Sequence, residues 1–224
     1  MPETTIIDYG IGNLRSIEKA LEHVGAGPVR TDNPARIAEA ERLVLPGVGA
    51  FGACIGEIRE RGLEKPIREA AGAGTPLLGV CVGMQLLFET GEEHGSHDGL
   101  GLLDGRVAHF HAPAAPSENG TASDASALTV PHMGWNTAEA TRPSPLLREL
   151  GGPVEEEKAS APYFYFVHSY CARPSHTGDV LATTTYGPRA FPAVVQRNNV
   201  FGVQFHPEKS QTAGLRLLEN FAAL

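Results

Sequence analysis

The chain has 224 residues with a formal net charge of -8, and 42% of it is hydrophobic. That length buries a sizeable core, and the acidic balance excludes a nucleic-acid binder that works through a broad basic surface. No apolar run approaches the ~20 residues that span a bilayer. MPETTIIDYG lacks the basic and apolar regions of a signal peptide, and three cysteines at scattered positions 54, 81 and 171 build no disulfide framework. A cytoplasmic α/β protein, one domain over residues 1–224, is therefore expected.

TTIID, residues 4 to 8, is a β-branched run that closes on Tyr9 and Gly10, a strand and a turn. Leu14, Ile17, Leu21 and Val24 then recur at helical spacing until Gly25 stops them. RLVLP (42–46) and PLLGV (76–80) are further apolar runs, each followed by glycine and a helical pattern. Strand, turn and helix in repetition describe a parallel sheet with helices on its faces. Ligands of such sheets sit at the carboxyl ends of the strands, where Gly10, Gly47 and Cys81 fall. The second half reads differently. RVAHF, ALTVPH, YFYFVHSY, VLATTTY, AVVQ and NVFGVQF are short β-rich segments, expected to extend the first sheet with antiparallel or mixed strands. A last helix carries Leu215, Leu218 and Phe221 on one face. The stretch 111–127, rich in Ala, Ser and Pro, reads as an exposed, mobile loop inserted in the domain.

GVCVGMQ places Cys81 where a buried strand turns into a helix, with Gly79 and Gly83 two residues to either side. This is the spacing of a nucleophile elbow, whose sharp turn tolerates no side chain at the flanking positions. The helix N-terminus that follows favours a thiolate. The plainer alternative is a small buried hydrophobe at a strand end. A catalytic thiol needs a base, and FGVQFHPEKS ends a β-run at His206, with Glu208 two residues on. A strand-end histidine beside a carboxylate can accept the thiol proton, the carboxylate fixing its tautomer. Taken singly, that segment also reads as a capped strand with a solvated glutamate.

LPGVGAFG, residues 45–52, contains a G-x-G-x-x-G, but the next strand ends at Val80 without the acid that a dinucleotide ribose requires. No cofactor is expected. His94, His97, His109 and His111 form two loose pairs without a helical H-x-x-x-H frame or a nearby cysteine pair, so no metal is expected either.

With the elbow and the H-P-E segment together, the chain resembles the class I, triad-type glutamine amidotransferases over essentially its whole length. The family's G-x-C-x-G-x-Q is met by Gly79, Cys81, Gly83 and Gln85. The resemblance implies a flavodoxin-like three-layer α/β fold, its central sheet mostly parallel with an antiparallel extension. It implies Cys81 as nucleophile, His206 as general base and acid, and Glu208 as the orienting carboxylate. It further implies an oxyanion hole from the N–H of Val82 and that of Val48 or Gly49, and a glutamine site made by Gly49, Gln85 and the His168-Ser169-Tyr170 segment. DYGIGNLRS (8–16), LPGVGAFG, GVCVGMQLLF, PHMGWN (131–136) and YFVHSY (165–170) resemble the branch that hands its ammonia to a cyclase subunit. That likeness implies a docking surface with Asn13, Arg15, Met133, Trp135, Asn136 and Lys209. A subunit of an anthranilate- or aminodeoxychorismate-type synthase, or a non-catalytic binding subunit of the same fold, are the alternatives.

Overall fold

TTII, LVLPG and LLGVC show no polar alternation, and they form β1 (Thr4–Ile7), β3 (Leu43–Gly47) and β4 (Leu77–Cys81), buried along their whole length. Strands that read this way are covered on both faces. The structure, a computed structural model, describes residues 3–111, 128–150 and 161–224. Among them an eight-stranded sheet runs β2-β1-β3-β4-β14-β13-β12-β9, where β2 is Pro28–Thr31, β9 Glu139–Ala140, β12 Val180–Tyr186, β13 Arg189–Arg197 and β14 Val200–Val203. The first five strands pair in parallel and the last three antiparallel. Helices α1 (Leu14–His23), α3 (Phe51–Glu60), α4 (Glu64–Gly72) and α6 (Gln211–Ala222) and the short α2 (Pro34–Ala38) accompany it. No helix among the described residues is long and apolar enough to cross a membrane.

The periodic residues of α1 behave as a buried stripe. Ile17 and Leu21 are in the core, Leu14 and Val24 pack against its edge, and Gly25 ends the helix at a φ of 71°. In α6 the stripe is wider than expected: Leu217 joins Leu218 and Phe221 in the core, while Leu215 is only half-buried.

The β-rich second half corrects one expectation, because only β9, β12, β13 and β14 extend the main sheet. A separate four-stranded sheet has the order β11-β7-β5-β6, with β5 at Phe88–Gly91, β6 at His97–Asp98, β7 at Leu103–His109 and β11 at Tyr170–Pro174. A two-stranded antiparallel ribbon pairs β8 (His132–Thr137) with β10 (Tyr163–His168). YFYFVHSY is thus not one strand. It breaks at Ser169, and its two parts pair with β8 and β7 respectively. Of the described residues of ALTVPH, 128–132, only His132 enters a strand, and Pro131 before it has no N–H for a ladder. The loop expected at 111–127 lies outside the described residues beyond His111.

Three glycines of LPGVGAFG and GVCVGMQ are required by contact. A Cβ on Gly47 would lie 2.6 Å from the Gly83 nitrogen, one on Gly79 would lie 2.6 Å from the Gly83 oxygen, and one on Gly83 would overlap the Leu45 oxygen. The backbones of β3, β4 and the turn after β4 meet here with no room for a side chain. Gly83→Ala is expected to lower the unfolding temperature steeply, because backbone on both sides must move. Thermal unfolding of the purified variant checks this; a melting temperature equal to the parent's would refute it.

Candidate active site

Register brings the candidate residues together. β3 and β4 are neighbours with Gly47 opposite Cys81, so Val48 and Gly49 continue just past the thiol. On the other side β14 pairs with β4 through Val203 opposite Val80, so Gln204 arrives level with Cys81 and His206 two residues beyond. The base and the nucleophile therefore emerge at one sheet edge from adjacent parallel strands.

Cys81 is the last residue of β4 and caps α5 (Val82–Leu86) with φ 56° and ψ -111°. A left-handed φ is strained for any residue with a Cβ, and here it lifts the sulfur off the sheet. The thiol lies against a cavity of about 390 Å³ that Val48, Gly49, Val82 and Gln85 line from one side, and Val167 to Tyr170 with His206 from the other. His206 Nδ1 and Glu208 Oε1 are 2.9 Å apart, with both side chains almost wholly buried. Burial disfavours the imidazolium. Hydrogen bonds to Cys81 and Glu208, and the charges of both, outweigh that and push the His206 pKa up to about 10. A histidine so poised holds a proton at neutral pH, beside the carboxylate that steadies its charge.

The loop after β3 meets the site with bare backbone. Gly49 has a φ of 86° and open space where a Cβ would stand. The Val48 carbonyl accepts the Cys54 thiol at 3.3 Å, and the Val82 N–H stands at the first turn of α5, where no intrahelical acceptor exists for it.

Gln85 reaches the pocket, but its Nε2 is engaged within the protein, donating to the Tyr170 carbonyl at 3.1 Å and to Gln204 Oε1 at 3.2 Å. The His168 ring is engaged at both nitrogens: Nδ1 is 2.8 Å from the Tyr170 carbonyl and Nε2 is 3.1 Å from His132 Nδ1. Any contact of His168 with a ligand is thus left to its backbone. Burial keeps His168 neutral, its pKa pushed down to about 3, and lowers His132 to about 4.

Two residues of the site carried no signal that sequence reasoning used. Gln204, fully buried, directs its Nε2 at the Cys81 sulfur from 3.9 Å; alternation back from His206 along the strand was the available clue. Glu93 lines the same cavity, and its Oε2 accepts the Phe51 N–H at 2.8 Å, capping α3 from a distance. Nothing local in the sequence marks it.

The residues assigned to docking divide. Met133 and Trp135 are 62% and 47% exposed on one face of the β8–β10 ribbon, where Tyr163, Tyr165 and Val167 stand opposite Thr137, Trp135 and Met133. Trp135 therefore stands outside the core. Lys209 Nζ lies 5.8 Å from the Tyr165 ring centre. Asn136 turns to the other face, donating to the Thr185 carbonyl at 2.9 Å. Asn13 is half-buried at the start of α1 and Arg15 is exposed beside it. Of the histidines weighed for a metal, His109 and His111 meet edge to face at 4.9 Å, the His111 N–H donating to His109 Nδ1 at 3.2 Å, and no group of three His, Cys, Asp or Glu converges on a cation position among the described residues.

Comparison with known proteins gives the family and the fold. The family model for class-I glutamine amidotransferases matches residues 5–223. Imidazole glycerol phosphate synthase subunit HisH of Salinibacter ruber is 66% identical over 99% of this chain and 94% of its own, and HisH of Rhodopirellula baltica is 47% identical over 97% and 96%. A solved glutamine amidotransferase structure shares the fold, with a TM-score of 0.70 at 20% identity over 99% of both chains. A buried Cys–His–Glu constellation at the carboxyl edge of a mostly parallel sheet, in a chain this similar over nearly its full length, belongs to the class-I glutamine amidotransferase family, in its HisH branch.

Proposed function

We propose that this chain is a cytoplasmic glutaminase subunit that hydrolyses glutamine to glutamate and ammonia through a Cys81 thioester. The ammonia goes to a HisF-type cyclase, which makes imidazole glycerol phosphate and AICAR from PRFAR in histidine biosynthesis. The observation that carries this reading is the Cys81 thiol at a strained elbow, on the cavity it shares with His206, whose Nδ1 is 2.9 Å from Glu208 Oε1.

The chemistry follows from those groups. The Cys81 thiolate attacks the side-chain carbonyl carbon of glutamine, and the carbonyl electrons move onto oxygen. N–H groups of Val82 and of Val48 or Gly49 stabilise that oxyanion, each worth about 3 kcal/mol. His206 gives its proton to the amide nitrogen as the C–N bond breaks, and ammonia leaves a thioester behind. His206 then takes a proton from water, whose oxygen attacks the thioester and releases glutamate and the thiolate. The Gln204 amide points its Nε2 at the sulfur from 3.9 Å.

Recognition of an amino acid needs partners for its carboxylate and its ammonium. Glu93 supplies a carboxylate at the cavity wall for the ammonium, and the Gln85 Oε1 adds an acceptor. Gly49, Ser169 and the backbone from His168 to Tyr170 complete the lining. Ammonia released into water is protonated and lost to the next reaction, so direct transfer is required. Val167 links the two surfaces: its carbonyl lies 4.0 Å from the Cys81 sulfur, and its side chain shares the ribbon face with Met133.

Glutamine hydrolysis by the isolated chain, measured with and without a HisF-type subunit and its nucleotide ligand, tests the whole reading. A large increase on complexation is expected; absence of hydrolysis in both states refutes it. Trp135→Ala is expected to weaken the complex by about 2 kcal/mol, roughly a 30-fold rise in Kd, because an exposed aromatic at the centre of an apolar face is a typical hot spot. An unchanged Kd by calorimetry would remove Trp135 from the interface.

A further inference from the structure

Behind the pocket, a row of polar side chains crosses an otherwise aromatic layer. Asn136 Nδ2 is 3.3 Å from His132 Nε2, His132 Nδ1 is 3.1 Å from His168 Nε2, and His168 Nδ1 is 2.8 Å from the Tyr170 carbonyl. Around it stand Phe110, Phe166, Tyr186 and Phe191, with ring centres within 6.4 Å of the His132 ring.

The proton positions in this row follow from its ends. A carbonyl oxygen only accepts, so His168 carries its hydrogen on Nδ1 and leaves Nε2 as an acceptor. His132 must then donate from Nδ1, which leaves its own Nε2 as an acceptor. Asn136 supplies the matching N–H there. All three bonds run in one direction, with no two donors or two acceptors facing each other. Both rings are buried and neutral, so no charge disturbs the order.

The row ends on a structural joint of the pocket. The Tyr170 carbonyl accepts both His168 and Gln85, tying the corner between β10 and β11 to α5 behind Cys81. Without the His132 donor, His168 Nε2 would be a buried acceptor with no partner, and the ring could turn away from Tyr170 to find one. The segment from Val167 to Tyr170 would then lose its anchor.

We infer that His132 is a positioning residue for the glutamine pocket, holding His168, and through it the Val167–Tyr170 corner, by a one-directional hydrogen-bond row that begins at Asn136. It rests on the glutaminase reading for what the pocket holds, but the row itself does not. Asn136 and His132 lie on the buried side of the same strand whose other side exposes Met133 and Trp135, so one strand serves both the docking face and the pocket.

Two measurements test it. Long-range ¹⁵N correlation spectra of the chain without substrate are expected to show His132 and His168 both as neutral Nδ1–H tautomers; an Nε2–H tautomer at either overturns the row. His132→Phe suits the aromatic surroundings but donates nothing, and is expected to raise the glutamine KM about tenfold in the complex while kcat changes less than threefold. His132→Asn, which returns an N–H close to the Nδ1 position, is expected to recover at least half of that loss on a logarithmic scale. A KM within twofold of the parent in the Phe variant, or no recovery with Asn, overturns the positioning role. Should the Phe variant fail to fold, the tautomers decide in its place together with two KM values: Asn136→Leu is expected to raise the glutamine KM above that of His132→Asn, and the reverse order overturns the positioning role. Failure of the unmodified complex to hydrolyse glutamine would instead refute the glutaminase reading, and the tautomers would still decide the row.

Discussion

Cys81→Ala is expected to lower glutamine-dependent synthesis by the complex at least about 10⁴-fold, while synthesis supplied with ammonia directly continues. The size follows from what the sulfur does. It is the atom that forms the covalent bond, and neither of the other cysteines lines the cavity: Cys54 has its thiol on the Val48 carbonyl, and burial raises the pKa values of both Cys54 and Cys171. The continued use of ammonia separates a lost glutaminase from a lost complex. Rates measured in parallel with glutamine and with ammonium salts decide the matter. Equal losses with both would mean that Cys81 is structural, and a non-catalytic subunit would become the better reading.

Glu208→Gln is expected to reduce glutaminase turnover by roughly 10² to 10⁴-fold with little change in glutamine KM. The carboxylate has one oxygen on His206 Nδ1, and its other oxygen is buried without a hydrogen-bond partner among the described residues. Replacing it keeps the shape and removes the charge. His206 then loses one of the two groups that raise its pKa to about 10 against the cost of burial, and its pKa moves down toward 6.5. The imidazolium that protonates the leaving nitrogen disappears at lower pH, so the alkaline limb of the kcat profile shifts downward. The same linkage fixes the stability trend. A pKa raised on folding gives stabilisation that is complete below about pH 6.5 and vanishes as pH climbs through about 10. The stability gap between parent and variant therefore narrows over that interval, as denaturant titrations at several pH values would register. A variant with an unshifted alkaline limb would refute the role of Glu208.

How much of this was legible in the sequence depends on whether the cause is local. β1, α1 and β12 declare themselves through β-branched runs, a helical stripe and a stopping glycine, and each lies close to where its residues indicate. The elbow is also legible locally, since Gly79 is forced by the backbone of its own strand–turn–helix, while Gly83 answers to the neighbouring strand at Leu45. The division of the second half into further sheets is not, because the aromatic alternation of YFYFVH runs on into Ser169 and Tyr170 without a turn residue. The break comes from which partner each half finds, β8 for one and β7 for the other. Gln204 and Glu93 escaped for a similar reason. One is brought to the sulfur by the pairing of β14 with β4, the other by the fold of the segment after β5, and neither pairing can be read from neighbours in the chain. Asn136, which the likeness places on the docking surface with Trp135, lies on the opposite face of β8, because adjacent strand residues face opposite ways.

The twisted backbone at Cys81 has a consequence for how this protein wears its chemistry. Holding a residue with a Cβ at φ 56° and ψ -111° costs on the order of 1–3 kcal/mol, and glycine would relieve most of it. A chain with Cys81→Gly should thus outlast its parent on heating while turning over no glutamine. Resistance to heat and reactivity are set against each other at a single α-carbon, and a search for hardier variants that ignored turnover would be drawn toward discarding the thiol first.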